Sequence, residues 1–301
     1  ASYTMYDRMV ESPQAALDFM GQMVPALAET QRREAGVLNE KIAEDGGDFE
    51  VQPWDWYRYS NQIKAERYQV DDDKVMQYFQ LDKVLEDGVF YAANKLYGLT
   101  FEKRDDLPTY HPDVWVYTVK DRDGSELGLF YFDPFQRPSK RGGAWMSNFV
   151  DQSDLWGTSP VIYNVLNIPK APKGEPQLVS FDWVETAFHE FGHALHGILT
   201  QTRFTRFAGT SVPRDFVEAP SQMLENWIWD KTVLDSFAAD YRDPSKKIPE
   251  AVIAKLKEAK KATIARHYRG QLSYGLVDLS LHSLTVDEAR IVDPVALSNQ
   301  I

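Results

Sequence analysis

Five residues, His189-Glu190-Phe191-Gly192-His193, place two imidazoles four positions apart with a carboxylate beside the first. On a helix, residues four apart lie one turn apart on the same face, so both rings can reach one ion. Zinc held this way lowers the pKa of bound water toward ~7, and Glu190, adjacent to the first histidine, is placed to take that water's proton. His189 and His193 are thus read as metal ligands, Glu190 as the catalytic base, and one Zn²⁺ per chain as the cofactor. Two histidines alone do not make a site. A third ligand has to come from elsewhere.

His196 is the nearest candidate, but it stands seven residues after His189. At 1.5 Å rise per residue the two are ~10 Å apart along the axis, too far for two ligands each ~2.1 Å from zinc. His196 is therefore read as a supporting or substrate-side group, or as a packed side chain. A carboxylate from a following helix is the other solution, and the stretch Arg214 to Trp227 reads as that helix, with Asp215 as its cap and Pro220 near its first turn. Glu218, Gln222 and Glu225 share one face of it, with Glu218 the best third ligand and Glu225 a supporting partner. Glu185, one turn before His189, can orient an imidazole or cap its own helix. Two histidines and one glutamate leave a coordination position open, which is what a catalytic zinc site requires.

The elements that must position these residues follow from periodicity. The motif helix is expected from Ser180 or Asp182 to Ile198. Upstream, Ala16, Phe19, Met20, Met23 and Leu27 recur at helical spacing in a stretch ending near Glu44-Asp45-Gly46-Gly47. A second helix is expected near Asp55, and a third over Leu81 to Leu96 with Gly98 as its stop. Val114–Val119 and Leu127–Phe132 flank Asp123-Gly124 and predict a hairpin, and Pro160–Val165 predicts a further strand. Asp293-Pro294 predicts a final helix start. The expected fold class is α+β, mainly α with a small antiparallel β-sheet. Its regions are helical over 1–100, mixed β lining a cleft over 101–176, and helical with the metal site over 177–301.

Composition removes other chemistries. There are no cysteines, so disulfides, thiolate nucleophiles and Cys-ligated zinc are excluded. With 33 basic and 45 acidic residues the net charge is −12 and no dense basic block exists, which argues against a nucleic-acid partner. No apolar run approaches the ~18 residues of a membrane span, and Ala1–Tyr6 lacks the pattern of a leader. The cytoplasm is the expected compartment, with no membrane partner.

The segments "FHEFGHALHG" and "AGTSVPRDFVEAPSQMLENW" together resemble the thimet oligopeptidase, peptidyl-dipeptidase and oligopeptidase A family of zinc metallopeptidases. "PWDWYRY", "HPDVWVYTV", "LGLFYFDPFQRPSKRGGAWM" and "LSYGLVDLSLHS" extend the resemblance over residues 50 to 285. It implies zinc ligation by His189, His193 and Glu218, with Glu190 as general base. It also implies a helical zincin-type core, with the motif helix followed by a Glu-bearing helix, and a channel admitting short peptides. Gly143 and Ala144, in "GGAWM", then belong to an edge strand against substrate; a buried strand with a core tryptophan is the alternative. Arg203, Arg206 and Arg214 can meet a substrate carboxylate, although ion pairs with acidic residues explain them as well. Family members are longer at both ends, so this chain is expected to be a piece whose partners include the rest of the same protein. The family's tyrosine- and histidine-bearing C-terminal loop is not visible in it. His267, Tyr268 and Tyr274 fit packing helices better than that loop. The expected activity is hydrolysis of short oligopeptides, with release of C-terminal dipeptides, or a zinc-binding but catalytically silent protein, as alternatives.

Overall fold

The computed structural model describes residue 3 and residues 5–68, 71–262 and 264–301. The reading of Ala1–Tyr6 falls partly on residues 1, 2 and 4, outside the described residues. The chain forms two compact units, Ala1–Val70 with Ala254–Ile301, and Asp71–Ile253.

In the first unit the helix Pro13–Glu44 starts on Ser12, whose Oγ accepts from the Ala15 N–H, with Pro13 inside the first turn. Leu38 and Ile42 near its end pack with Trp56, Tyr59 and Ile63 of the helix Trp56–Ile63 to form a small core. The helix Ile264–His282 lies along Pro13–Glu44, where the Ala265 N–H donates to Glu34 Oε1 at 3.1 Å. Asp293 caps the last helix, Pro294–Gln300, by accepting from the N–H groups of Val295 and Ala296.

The second unit is built around a five-stranded sheet of β1 (Thr100–Lys103), β2 (Trp115–Lys120), β3 (Glu126–Phe135), β4 (Trp145–Val150) and β5 (Val161–Ile168), in the order β1-β2-β3-β5-β4. β2 and β3 are the hairpin around Gly124, which takes φ +87°, a conformation glycine supplies without steric cost. The sheet is mixed, which corrects the expectation of a purely antiparallel one. β5 runs parallel to β3 and antiparallel to β4. The reason lies in the connection: β5 follows β3 by way of β4 and not by a tight turn, so it enters beside β3 in the same direction, with Ile162, Val165, Leu166 and Ile168 all buried. The chain leaves β3, forms the edge strand β4, and returns between the two.

One face of the sheet carries Val114, Val116 and Tyr131 in a cluster. The other carries Phe130, Phe132 and Ile162 and is covered by the helix Phe181–Ile198. A short hairpin, β6 (Ala239–Asp240) with β7 (Asp243–Lys247), completes the unit. Over Leu81 to Tyr97 the expected helix is continuous in path but passes through a π-helical stretch, Val84–Val89, and ends at Gly98 with φ +80°. Gly88 in that stretch has no room for a side chain, because an added Cβ would come 2.7 Å from the Phe237 ring. Among the described residues no helix is long and apolar enough to cross a membrane.

Candidate metal centre

The motif helix, Phe181–Ile198, begins on Ser180, whose Oγ accepts from the Trp183 N–H. Two aromatic residues fasten it to the core. Phe191 stands edge-on to Phe130 of β3 at 5.1 Å between ring centroids and also meets Phe90 and Phe101. Phe188 packs on Phe237. Both rings are fully buried, and burial of a phenylalanine side chain is worth about 1.5–3 kcal/mol. The helix thus cannot rotate without exposing them, and its other stripe, with His189 and His193, is held in one direction.

Two glycines let other backbone close on this helix. A Cβ on Gly192 would stand 2.5 Å from Ser221 Cα and 2.8 Å from the Pro220 carbonyl oxygen. A Cβ on Gly197 would strike Ile162 and Met146 of the sheet at 2.7 and 2.9 Å. The connection after Ile198 returns over the helix, where the Gly209 N–H donates to Thr200 Oγ1 at 2.8 Å and Gly209, at φ +53°, lies against Gly197. This return delivers Glu218.

The helix expected from about Asp215 begins only at Ala219 and runs to Glu225. Pro220 has no N–H to give to Phe216, and the Phe216 carbonyl accepts instead from Ala219 in a tighter turn. Glu218 is therefore the residue that enters the helix, not one inside it.

The three side chains converge. Glu218 Oε2 lies 3.3 Å from His189 Nε2 and 3.1 Å from His193 Nε2. All three atoms fall within 4.8 Å of one another. Tetrahedral coordination with bonds of 2.0–2.1 Å separates ligand atoms by about 3.3 Å, so the donor set fits zinc. The tautomer of His189 agrees. His189 Nδ1 meets Glu225 Oε1 at 2.6 Å, and because a carboxylate only accepts, Nδ1 carries the proton. In the neutral ring Nε2 then presents a lone pair toward Glu218 Oε2, also a lone-pair atom. Two acceptors at 3.3 Å call for a cation between them. Burial pushes the His193 imidazole below its ordinary pKa, favouring the neutral form a ligand needs.

Glu190 is 5% exposed. Burial, with Glu218 adding and His189 opposing, pushes its carboxyl up to about 7. Its Oε2 is buried with no hydrogen-bond partner among the described residues, an acceptor left for a water. A buried base with a pKa near neutrality beside three metal donors can take a proton from water and give it back.

The other expected residues are distributed as follows. Glu225 sits on His189. Glu185 is half-buried one turn earlier on the same helix. His196 is outside the three-donor group, with its ring 6.4 Å from Phe216 and its pKa lowered by burial. Gly143, at φ +86°, precedes the edge strand β4, and its carbonyl accepts from Asn167 Nδ2 at 2.6 Å; Ala144 is half-buried next to it. Arg203, Arg206 and Arg214 are exposed, and among the described residues none forms an ion pair. His267, Tyr268 and Tyr274 lie on Ile264–His282, in the other unit. Two contributors were not read from sequence: Gly192 and Ser221. Gly192 alone carried a signal, since glycine inside a helix costs about 0.5–1 kcal/mol relative to alanine and marks a close approach.

Known proteins carry this arrangement's sequence. Residues 1–297 match Peptidase family M3. The dipeptidyl carboxypeptidase of Escherichia coli (strain K12) is 42% identical over 289 residues, which cover 96% of this chain and 42% of that protein. Oligopeptidase A of the same organism is 35% identical over 280 residues, 92% of this chain and 41% of the relative. Saccharolysin of Saccharomyces cerevisiae is 33% identical over 300 residues, 94% and 42%. The chain thus spans about two-fifths of the length of these curated relatives. Motif, α+β framework and sequence similarity lead to one conclusion: the chain belongs to peptidase family M3.

Proposed function

We propose that this chain carries the catalytic centre of a zinc-dependent peptidase that cleaves short oligopeptides. The observation that carries the reading is the convergence of His189 Nε2, His193 Nε2 and Glu218 Oε2 next to a buried carboxylate. His189, His193 and Glu218 would hold the ion. Bound zinc supplies a Lewis acid that polarises a carbonyl and makes water acidic enough to react near neutral pH.

The chain's own groups do the rest. Glu190 accepts a proton from the attacking water and returns it to the leaving amine. Its burial brings its basicity close to the working pH, where a general base is most effective. Glu225 keeps the His189 ring in the tautomer that presents Nε2. β4, paired on one side only, offers its other edge to an extended peptide, and Gly143 and Ala144 at its start let that backbone come close.

A second reading concerns the product. The 42% identity to a dipeptidyl carboxypeptidase, against 35% to oligopeptidase A, supports release of C-terminal dipeptides. The test is cleavage-site mapping by mass spectrometry on a peptide library with the full chain, with and without a zinc chelator. Cleavage abolished by chelation and restored by zinc is expected; chelator-insensitive cleavage would overturn the zinc reading. Amidating the C-terminus of a substrate then separates the two products, since dipeptide release should slow sharply and internal cleavage should not.

A further inference from the structure

Ser221 is fully buried, at 0% exposure, three residues after Glu218. Its hydroxyl has one proton to give, and both acceptors within reach belong to Glu218: the backbone carbonyl at 3.0 Å and carboxylate Oε2 at 2.9 Å. Oε2 is the same atom that faces His189 Nε2 and His193 Nε2. The carboxylate itself is half exposed, on a side chain with three rotatable bonds at the entry to its helix, so little packing holds it. Ser221, by contrast, cannot move. Its Cα lies so close to Gly192 that even a methyl group would not fit between the two segments.

We infer that Ser221 is a positioning residue for the metal centre: its backbone is held against Gly192 of the motif helix, and its hydroxyl aims Glu218 Oε2 at the two imidazoles. The inference rests on the reading of His189, His193 and Glu218 as zinc ligands. Under it, each carboxylate of the centre has its own task. Glu225 orients a ring, and Glu218 is itself oriented, by a neutral donor that competes with no cation for the lone pairs on the far side of Oε2. A donor hydrogen bond to an anionic oxygen is stronger and more directional than one between neutral groups, which suits a serine for this task.

The test is a double-mutant cycle on zinc affinity in the full chain, read by competition with a chromogenic chelator, for the wild type, Ser221→Ala, Glu218→Ala and the double variant. Loss of a supporting hydrogen bond to a metal ligand costs ~10–100-fold in affinity, and that is the expected effect of Ser221→Ala. In the Glu218→Ala background the same change should cost about twofold or less, because the group it acts through is gone. Wild-type zinc affinity in Ser221→Ala, or an equal loss in both backgrounds, would overturn the inference. An unchanged affinity in Glu218→Ala would overturn the ligand assignment itself, a separate result. Melting curves of the zinc-free variants report whether the fold survives. If Ser221→Ala does not fold, Ser221→Cys keeps a side chain at this position with a weaker donor. It should bind zinc less tightly than wild type, and equal binding would count against the hydrogen bond.

Discussion

Two polar clusters share the unit Asp71–Ile253, and they are built on opposite principles. On β3, Asp133 points to the same side of the sheet as Tyr131, away from the motif helix. Its side chain is 1% exposed and fully partnered: Arg137 grips both oxygens at 2.7 Å, Tyr110 Oη donates at 3.0 Å, and Lys140 Nζ stands at 2.8 Å. Lys140 Nζ in turn donates to the carbonyls of Asp133, Phe135 and Leu166. Both oxygens of this carboxylate meet donors. At the candidate metal centre Glu218 Oε2 lies 3.3 and 3.1 Å from two Nε2 atoms, and among the described residues Glu190 Oε2 is buried without a hydrogen-bond partner. A closed cluster holds a fold together. An open one, whose lone pairs converge on a point, waits for a cation, and that contrast separates structural from chemical polarity in this molecule.

The contrast can be broken most forcefully at Glu190. Glu190→Gln should retain zinc, measured by metal analysis after dialysis, while kcat/KM for peptide cleavage falls ~10²–10⁴-fold, the usual contribution of a general base. Retained cleavage would remove Glu190 from the chemistry. The converse experiment is Asp133→Ala, which leaves Lys140 and Arg137 buried without their carboxylate. It should destabilise the fold by about 3–5 kcal/mol in denaturant titration, with zinc affinity of the folded fraction unchanged.

The same pair of sites predicts a pH response. Burial alone would push the Asp133 carboxyl up, but hydrogen bonds from Arg137 and Lys140 outweigh it and hold the group below its ordinary value. A carboxylate with a depressed folded pKa contributes stability that is complete above the unfolded value of about 3.9 and is lost as pH falls through the folded one. Acid unfolding below about pH 4 should therefore be less steep in Asp133→Asn than in the wild type.

Smaller effects sharpen the comparison at the metal centre. Glu225→Gln removes the acceptor charge behind His189 and should weaken zinc binding by ~10–100-fold with little change in apo stability. Gly192→Ala should act on both, because its methyl would meet the Pro220–Ser221 backbone and not a flexible side chain. A stability loss of about 1–3 kcal/mol is expected from the overpacking, together with weaker zinc binding as the Glu218 segment is pushed away. A melting curve run with and without zinc separates the two terms.

How far the sequence could be read depended on the range of the interaction. The span of the motif helix, expected from Ser180 or Asp182 to Ile198 and found over Phe181–Ile198, follows from local rules, and so does the common direction of His189 and His193 four residues apart. The β2–β3 hairpin was legible from its turn. The order of the strands was not, because alternation says which residues are buried but not which strand stands beside which; β5 takes its place between β3 and β4 only when the chain is packed. The cap of the Glu218 helix lies three residues after the expected Asp215 for a similar reason: Pro220 marks a break, and only the turn formed by Pro213 to Ala219 shows on which side of Glu218 it falls.

The amino-acid sequence by itself determined the chemistry on offer: two imidazoles and a carboxylate on one helix face, an absence of thiols, and carboxylates on a following segment. Tertiary structure decided which of those carboxylates does what. Glu218 meets both Nε2 atoms and Glu225 meets Nδ1 because the missing side chain of Gly192 lets the backbone at Ser221 settle against the motif helix. Side-chain type and helical period are properties of a few consecutive residues. The approach of two segments thirty residues apart is set by the volume left between them, which no local pattern records.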